Sequence, residues 1–126
     1  MSLAKSLLVI DDSPTMRNLI VMTLKRLGVL NIIQAENGQD GLEKLAAGSF
    51  DLVLTDIDMP VMTGLDFIRH ARAKMPQLPI IVLSTHGEDA MRDKGLALGA
   101  NNYLTKPLNN GALIEVFEQI FPDLEL

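Results

Sequence analysis

Residues 7–14 of the chain read LLVIDDSP, and this stretch indicates how the rest of the chain folds. Four consecutive apolar residues are typical of a short strand that is buried on both faces of a parallel sheet. The strand ends at the acidic pair Asp11 and Asp12. Ser13 then offers a helix N-cap, and Pro14 suits the first position of a helix. The stretch therefore predicts a buried strand that leads directly into a helix.

The same order of apolar run and helical stretch recurs along the chain. The predicted strands are residues 7–10, 31–35, 52–55, 80–83 and 102–104, and the predicted helices are about residues 14–27, 41–46, 65–74, 89–98 and 111–121. Five strand–helix units predict an α/β fold with a parallel sheet, right-handed crossovers and helices on both faces. Because the rhythm leaves no linker, we expect a single domain over residues 1–126 with its core at about 5–122.

Composition excludes several classes of function. The 126 residues contain no cysteine, which excludes disulfides, thiolate catalysis and cysteine-based zinc sites. A net charge of -5, no tryptophan and 4% aromatic residues argue against nucleic-acid binding. No apolar run approaches the roughly 20 residues of a membrane span, and the N-terminus lacks the layout of a signal peptide. We therefore expect a soluble, cytoplasmic monomer that binds neither nucleic acid nor membranes.

Polar residues stand where the predicted strands end. In strand order they are Asp11 and Asp12, Asp56, Ser84 and Lys106. Ligands of open parallel sheets bind at the carboxyl ends of the strands, near the point where the strand order reverses. If strands one and three are neighbours, three carboxylates meet there, and oxygen ligands favour a hard cation such as Mg²⁺. With a lysine and a hydroxyl on the same rim, the pattern indicates phosphoryl transfer.

These residues resemble the receiver domain of two-component response regulators. The resemblance covers nearly the whole chain and rests on motifs in the family's order: Asp11-Asp12, Asp56 with Met59-Pro60 and Gly64, Ser84, and Lys106-Pro107. Residues 11–17 resemble the chemotaxis-type single-domain regulators more closely still. The resemblance implies a flavodoxin-like (βα)5 fold, doubly wound, with the strand order 2-1-3-4-5.

The resemblance also implies a Mg²⁺-dependent reaction at one carboxylate. Asp56 resembles the phosphoacceptor, which takes a phosphoryl group from the phosphohistidine of a histidine kinase or phosphotransfer protein. Asp11 and Asp12 resemble the acids of the metal site, one binding directly and the other mainly through water. The backbone carbonyl of Asp58 corresponds to the family's third protein ligand.

Three further positions resemble the family's switch. Lys106 corresponds to the lysine that pairs with phosphoryl oxygens, Ser84 to the hydroxyl that moves toward them, and Tyr103 to the aromatic that swings inward. Phosphorylation adds roughly two negative charges, which would favour one arrangement of the fourth and fifth units. Their common face is then the expected contact for an output protein of unknown identity. The Lys106–Pro107 bond is commonly cis in the family.

Several positions have an alternative interpretation. The Asp58 side chain could approach the metal or face solvent, and Tyr103 could be an ordinary core aromatic. Thr85 competes with Ser84 for the hydroxyl role, and a threonine there could hinder the inward swing of Tyr103. His86 is interpreted as a surface residue, at a position that can tune dephosphorylation in the family.

Two other functions compete with the switch. Asp56-Ile57-Asp58 resembles the paired aspartates of haloacid-dehalogenase-type phosphohydrolases, but that motif normally follows the first strand, and the chain lacks a cap domain and a later acidic pair. A phosphorylation-independent interaction module would usually have lost an acid or the lysine. We therefore expect a self-phosphorylating and self-dephosphorylating switch without turnover of an independent substrate.

Overall fold

Strands and helices alternate along the chain in the computed structural model, which describes residues 3–85, 89–106 and 109–121. The strands are β1 (Leu3–Ile10), β2 (Val29–Ala35), β3 (Leu52–Thr55), β4 (Ile80–Ser84) and β5 (Asn102–Thr105). The helices are α1 (Pro14–Arg26), α2 (Gly38–Ala47), α3 (Gly64–Lys74), α4 (Asp89–Ala97) and α5 (Asn110–Ile120). The predicted α/β class is confirmed. The prediction of one domain over residues 1–126 extends beyond the described range and stays a prediction.

All five strands are parallel and lie in the order β2-β1-β3-β4-β5, which confirms the expected flavodoxin-like topology. The strand order reverses between β1 and β3, which are direct neighbours. Ile10 of β1 pairs with Thr55 of β3, so these two strands end side by side. Ser84 of β4 likewise pairs with Thr105 of β5. The residues that follow each pair are therefore brought to one edge of the sheet.

The two largest differences from the predicted bounds are the early starts of β1 and α2. β1 starts at Leu3 because its polar beginning continues the ladder with β2, where Ser6 pairs with Asn31 at the edge of the sheet. α2 starts at Gly38 because the Asn37 side chain accepts a hydrogen bond from Asp40 N at 2.8 Å and caps the helix. Neither feature depends on hydrophobic periodicity, so the pattern did not show them.

Helices cover both faces of the sheet. Leu8 and Ile10 of β1 point to the core shared with Leu45 of α2 and Phe67 of α3. The alternate residues of β1 point to the core on the opposite face, which contains Leu24 of α1 and Phe117 of α5. In the described part of the chain, no helix is both long enough and apolar enough to cross a membrane. The two cores cover the faces of the sheet, so its carboxyl edge is the place left for a site.

Candidate functional site

Three carboxylates meet at the carboxyl edge of the sheet. Asp11, Asp12 and Asp56 each offer an oxygen atom, and these atoms lie within 4.8 Å of one another. The strands fix this arrangement, because Asp56 N donates to Ile10 O at 3.0 Å and Asp11 N donates to Ala35 O at 3.1 Å. Asp11 is buried, Asp56 is partly buried and Asp12 is exposed. The group thus reaches from the protein interior to solvent.

Lys106 lies between two of these acids. Its Nζ is 2.8 Å from Asp11 Oδ2 and 3.3 Å from Asp56 Oδ2, and its side chain is 8% exposed. Burial alone would lower the pKa of Lys106, but the nearby Asp11 and Asp56 carboxylates outweigh it and raise that pKa above its usual value. The ammonium group therefore stays protonated at neutral pH and partly compensates the acids.

The charge on Asp56 is only partly compensated. Burial raises the pKa of this carboxyl group, and the attraction of Lys106 and a hydrogen bond from Ile57 N do not fully offset that effect. The Ile57 N–H donates to Asp56 Oδ1 at 2.7 Å, while Oδ2 faces Lys106. An additional positive charge at the three carboxylates would relieve the remaining cost of ionising Asp56.

The donor set fits a Mg²⁺ ion. Its preferred ligands are oxygens at about 2.0–2.1 Å in an octahedron, which places neighbouring ligands roughly 3 Å apart. The oxygens of Asp11, Asp12 and Asp56 are already within 4.8 Å of one another, so small side-chain movements would suffice. Asp11 is buried and Asp12 is exposed, so the solvent side of the group has room for the water ligands that this ion retains.

An arginine that sequence reasoning missed supports the acidic pair. Arg17 donates from its guanidinium group to Asp11 O at 2.6 Å and to Gln34 Oε1 at 3.3 Å. Asp11 Oδ1 in turn accepts a hydrogen bond from Ser13 N at 3.0 Å. The turn between β1 and α1 is therefore tied to β2. The sequence signal for this role of Arg17 was its position as a basic residue one helical turn after the N-cap Ser13.

Gly64 packs directly against the backbone of Asp56. A Cβ atom at position 64 would lie only 1.9 Å from Asp56 O, and Gly64 N donates to Ile57 O at 2.8 Å. No other residue type fits here without moving the loop that carries Asp56. The sequence motif includes Gly64, but the motif does not show why glycine stands there. The reason is this tertiary approach, which has no local signal.

The loop between Asp56 and Gly64 is tightly turned. Met62 N donates to Pro60 O at 2.7 Å around Val61, whose φ is +70°. A β-branched residue in this region is strained and persists where its surroundings hold it in place. Here Gly38 N of α2 donates to Met62 O at 3.3 Å. The phosphoacceptor candidate Asp56 thus lies at the start of a loop that a hydrogen bond ties to α2.

The candidate switch residues lie on the neighbouring strands. Ser84 ends β4 and is fully buried, whereas Thr85 is exposed. Lys106 N donates to Ser84 O at 2.8 Å, so the backbones of serine and lysine are directly connected. Tyr103 is only 8% exposed and belongs to the core under α2, α3 and α4. Thr85 therefore does not keep the Tyr103 ring out of the interior in this structure.

The remaining sequence candidates are Asp58, His86 and Pro107. Asp58 is exposed and is not among the three carboxylates that lie close together. His86 and Pro107 are outside the described residues, and so is the Lys106–Pro107 peptide bond. The structure therefore unites Asp11, Asp12, Asp56 and Lys106, with Ser84 joined through the backbone.

The chain is similar to known proteins over most of its length. A family model described as the response regulator receiver domain matches residues 7–118. The chain is 43% identical over 117 residues to chemotaxis protein CheY1 of Helicobacter pylori, covering 90% of this chain and 94% of that protein. It is 35% identical over 117 residues to chemotaxis protein CheY of Pseudomonas aeruginosa, covering 91% and 94% of the two chains.

Solved structures show the same fold. The chemotaxis response regulator CheY4 of Vibrio cholerae aligns with a TM-score of 0.83 at 30% identity, over 93% of this chain and 98% of that one. The response regulator TrrA of Thermotoga maritima, in complex with Mg²⁺ and BeF, aligns with a TM-score of 0.84 at 33% identity. That alignment covers 93% of this chain and 99% of the other.

Proposed function

The chain belongs to the response regulator receiver domain family, and from that premise we propose that it is a phosphoacceptor switch in two-component signalling, with Asp56 as the phosphorylated residue. Domains of this kind act as signalling switches rather than as enzymes that turn over a separate substrate. The phosphoryl donor that we propose is a histidine kinase or a histidine phosphotransfer protein. Chemotaxis is the proposed process, because the relatives at 43% and 35% identity are chemotaxis proteins.

The observation that carries this proposal is the position of Asp56. Its carboxylate lies at a strand end, close to the carboxylates of Asp11 and Asp12 and 3.3 Å from the Lys106 ammonium nitrogen. Oδ1 is held by the Ile57 N–H, and the Gly64 contact fixes the backbone behind it. A carboxylate held in this way is oriented before the reaction, which is how a phosphoryl-transfer site gains most of its rate.

The proposed reaction forms an acyl phosphate on Asp56. A carboxylate oxygen of Asp56 attacks the phosphorus atom of the donor's phosphohistidine. The phosphorus–nitrogen bond breaks, and its electron pair returns to the donor imidazole. Lys106 then leaves its contact with Asp56 Oδ2 and pairs with a phosphoryl oxygen, because the new dianion carries more charge than the carboxylate did.

The three acids would hold the cation that balances the negative charge of the incoming phosphoryl group. Asp11, Asp12 and Asp56 would hold Mg²⁺. The backbone carbonyl of Asp58 is proposed as a further ligand. Bound Mg²⁺ supplies positive charge that neutralises phosphoryl oxygens during transfer. Arg17 holds the Asp11 backbone in place, and the Ser13 N–H orients the Asp11 side chain.

We propose that the response passes through β4, β5 and α4. The hydrogen bond from Lys106 N to Ser84 O joins the backbones of the two residues. A movement of either residue toward the phosphoryl group would therefore also move the other. The Ser84 hydroxyl would donate to a phosphoryl oxygen, and the buried ring of Tyr103 would follow its movement. The face formed by the fourth and fifth units would then bind an output protein, and the proposed setting is the cytoplasm.

Phosphoryl labelling tests the proposal directly. With Mg²⁺ present, a small-molecule phosphodonor such as acetyl phosphate should add one phosphoryl group to the wild-type chain, measured by intact mass. Asp56→Asn should take up none, and EDTA should abolish labelling of the wild type. Asp66→Asn is the matched control, since Asp66 lies on α3 and pairs with Arg69 at the surface. Equal labelling of Asp56→Asn and the wild type would refute the assignment of Asp56.

A further inference from the structure

Helix α4 is held to the molecule by few buried groups. Gly95 is the one buried residue among its nine, and Met91 is partly buried. Helices of this length are not stable alone in water, so α4 depends on packing against the sheet. Its C-terminal end is fixed by Arg72, which donates to Gly99 O at 2.7 Å. The weak attachment therefore lies along the helix rather than at that end.

Gly95 faces the ring of Tyr103. A Cβ atom added at position 95 would lie 3.6 Å from Tyr103 Cδ2 and 3.9 Å from Val82 Cγ2. Both are ordinary van der Waals distances, so a methyl group fits without displacing either neighbour. The position has no backbone need for glycine, in contrast with Gly99, whose φ of +116° favours it. Compared with alanine, glycine at position 95 makes α4 less stable and lacks a methyl contact with Tyr103.

We propose that Gly95 is a positioning residue of the switch, because its missing methyl group leaves α4 loosely packed on Tyr103 and allows the ring to leave its buried position. This inference rests on the proposed function, in which the fourth and fifth units respond to Asp56. A methyl group at position 95 would favour the arrangement seen here, with α4 packed over the buried ring. A larger fraction of the chains would then adopt that arrangement without a phosphoryl group.

The size of the effect follows from helix propensity. Replacing a mid-helix glycine with alanine changes the equilibrium for forming the helix by about fivefold. A two-state switch responds in proportion to a bias that favours one of its two arrangements over the other. Propensity alone should therefore raise the hydrogen-exchange protection of α4 amides in Gly95→Ala by about fivefold in the unphosphorylated protein, and the new contact with the Tyr103 ring should add to that increase.

The chain carries its own reporter for this contact. Tyr103 is the single tyrosine of the chain, and there is no tryptophan. Tyrosine fluorescence therefore reports on Tyr103 alone, and its quenching by acrylamide measures how accessible that ring is. Addition of Mg²⁺ and beryllofluoride, which mimics the phosphoryl group, gives the second state of the comparison.

Gly95→Ala should lower acrylamide quenching of Tyr103 in the metal-free protein, and beryllofluoride should then cause a smaller further decrease in quenching than it causes in the wild type. The matched control is Asp93→Ala, which raises helix propensity on the exposed side of α4. That control should increase α4 protection with a smaller change in Tyr103 quenching. Unchanged quenching in Gly95→Ala, or an equal change in Asp93→Ala, would overturn the role of Gly95. Thermal melts show that each variant is folded.

A second pair of variants tests the contact itself. In a Tyr103→Leu background, Gly95→Ala should lose the part of its α4 protection that comes from the ring, and an undiminished effect would overturn the inference. These readouts use unphosphorylated protein, so they do not depend on phosphoryl transfer. Failure of Asp56 to take up a phosphoryl group, by contrast, would refute the proposed function and is measured separately.

Discussion

The loop after β3 and the helix after β4 use glycine in opposite ways. At Gly64 a Cβ atom would be 1.9 Å from Asp56 O, so glycine is required by a close backbone approach. At Gly95 a Cβ atom would be 3.6 Å from the Tyr103 ring, so glycine leaves usable space empty. The part of the sheet edge that carries the acids is therefore held tightly, and the part proposed to respond is packed loosely.

This difference suits a switch. Phosphoryl transfer requires a carboxylate that is already oriented, and the contacts of Asp56 with Ile57 N and Gly64 provide that. A response to one added group requires two arrangements of similar free energy, because the group can supply only a few kcal/mol of differential binding. Tight packing around α4 would make that difference too large to overcome.

Alanine at the two glycine positions should give effects of opposite sign, and this is the largest effect that we predict. Gly64→Ala should lower the free energy of unfolding by about 3 kcal/mol or more, because the loop backbone must move away from Asp56 O. Gly95→Ala should raise the free energy of unfolding by about 1 kcal/mol. Urea denaturation followed by circular dichroism measures both, and destabilisation of equal size at the two positions would remove the contrast.

The second largest effect that we predict is a loss of stability when Lys106 is removed from the tightly held part. Lys106→Met leaves Asp11 buried beside Asp56 without a compensating cation, which should cost about 2–3 kcal/mol of folding free energy in EDTA. Mg²⁺ should restore more stability to this variant than to the wild type, because it would supply the missing charge. Denaturation with and without Mg²⁺ checks this, and Lys44→Met, which breaks a surface pair with Asp40, is the control.

Much of the site could be predicted from the sequence because its residues stand at strand ends. Asp11, Asp56 and Ser84 each follow an apolar run that is recognisable locally, and parallel strands bring their carboxyl ends to one edge. The contact between Lys106 and Asp11 joins residues 95 positions apart, so it required the strand order as well. That order was available only through the resemblance to receiver domains.

The remaining features depend on distances that no local pattern contains. The approach of Gly64 to Asp56 O is set by how α3 meets the end of β3, and the hydrogen bond from Arg17 to Asp11 O is set by how α1 lies on the sheet. The space between Gly95 and Tyr103 is likewise a property of helix packing. A sequence shows that a glycine is present, but only packing shows whether that glycine is required.

The smallest effect that we predict concerns the charge on Asp56 in the metal-free protein. Burial raises the pKa of this carboxyl group above its ordinary value of 3.8, so the folded chain binds the proton more tightly than the unfolded chain does. The raised pKa therefore contributes its full stabilisation of the folded chain below pH 3.8, where Asp56 is protonated. That stabilisation is lost as the pH rises through the pKa of Asp56 in the folded chain. Above that range, Asp56→Asn should be more stable than the wild type, since its side chain carries no charge.

The difference between Asp56→Asn and the wild type should thus grow from acid to neutral pH in EDTA, and a series of thermal melts measures it. Mg²⁺ should reverse the order, because the ionised carboxylate then gains a cation that the amide binds poorly. If Asp56→Asn were the less stable protein in EDTA at neutral pH, Lys106 would already compensate the charge in full. The charges in the tightly held part of the sheet edge would then already be balanced without an added cation.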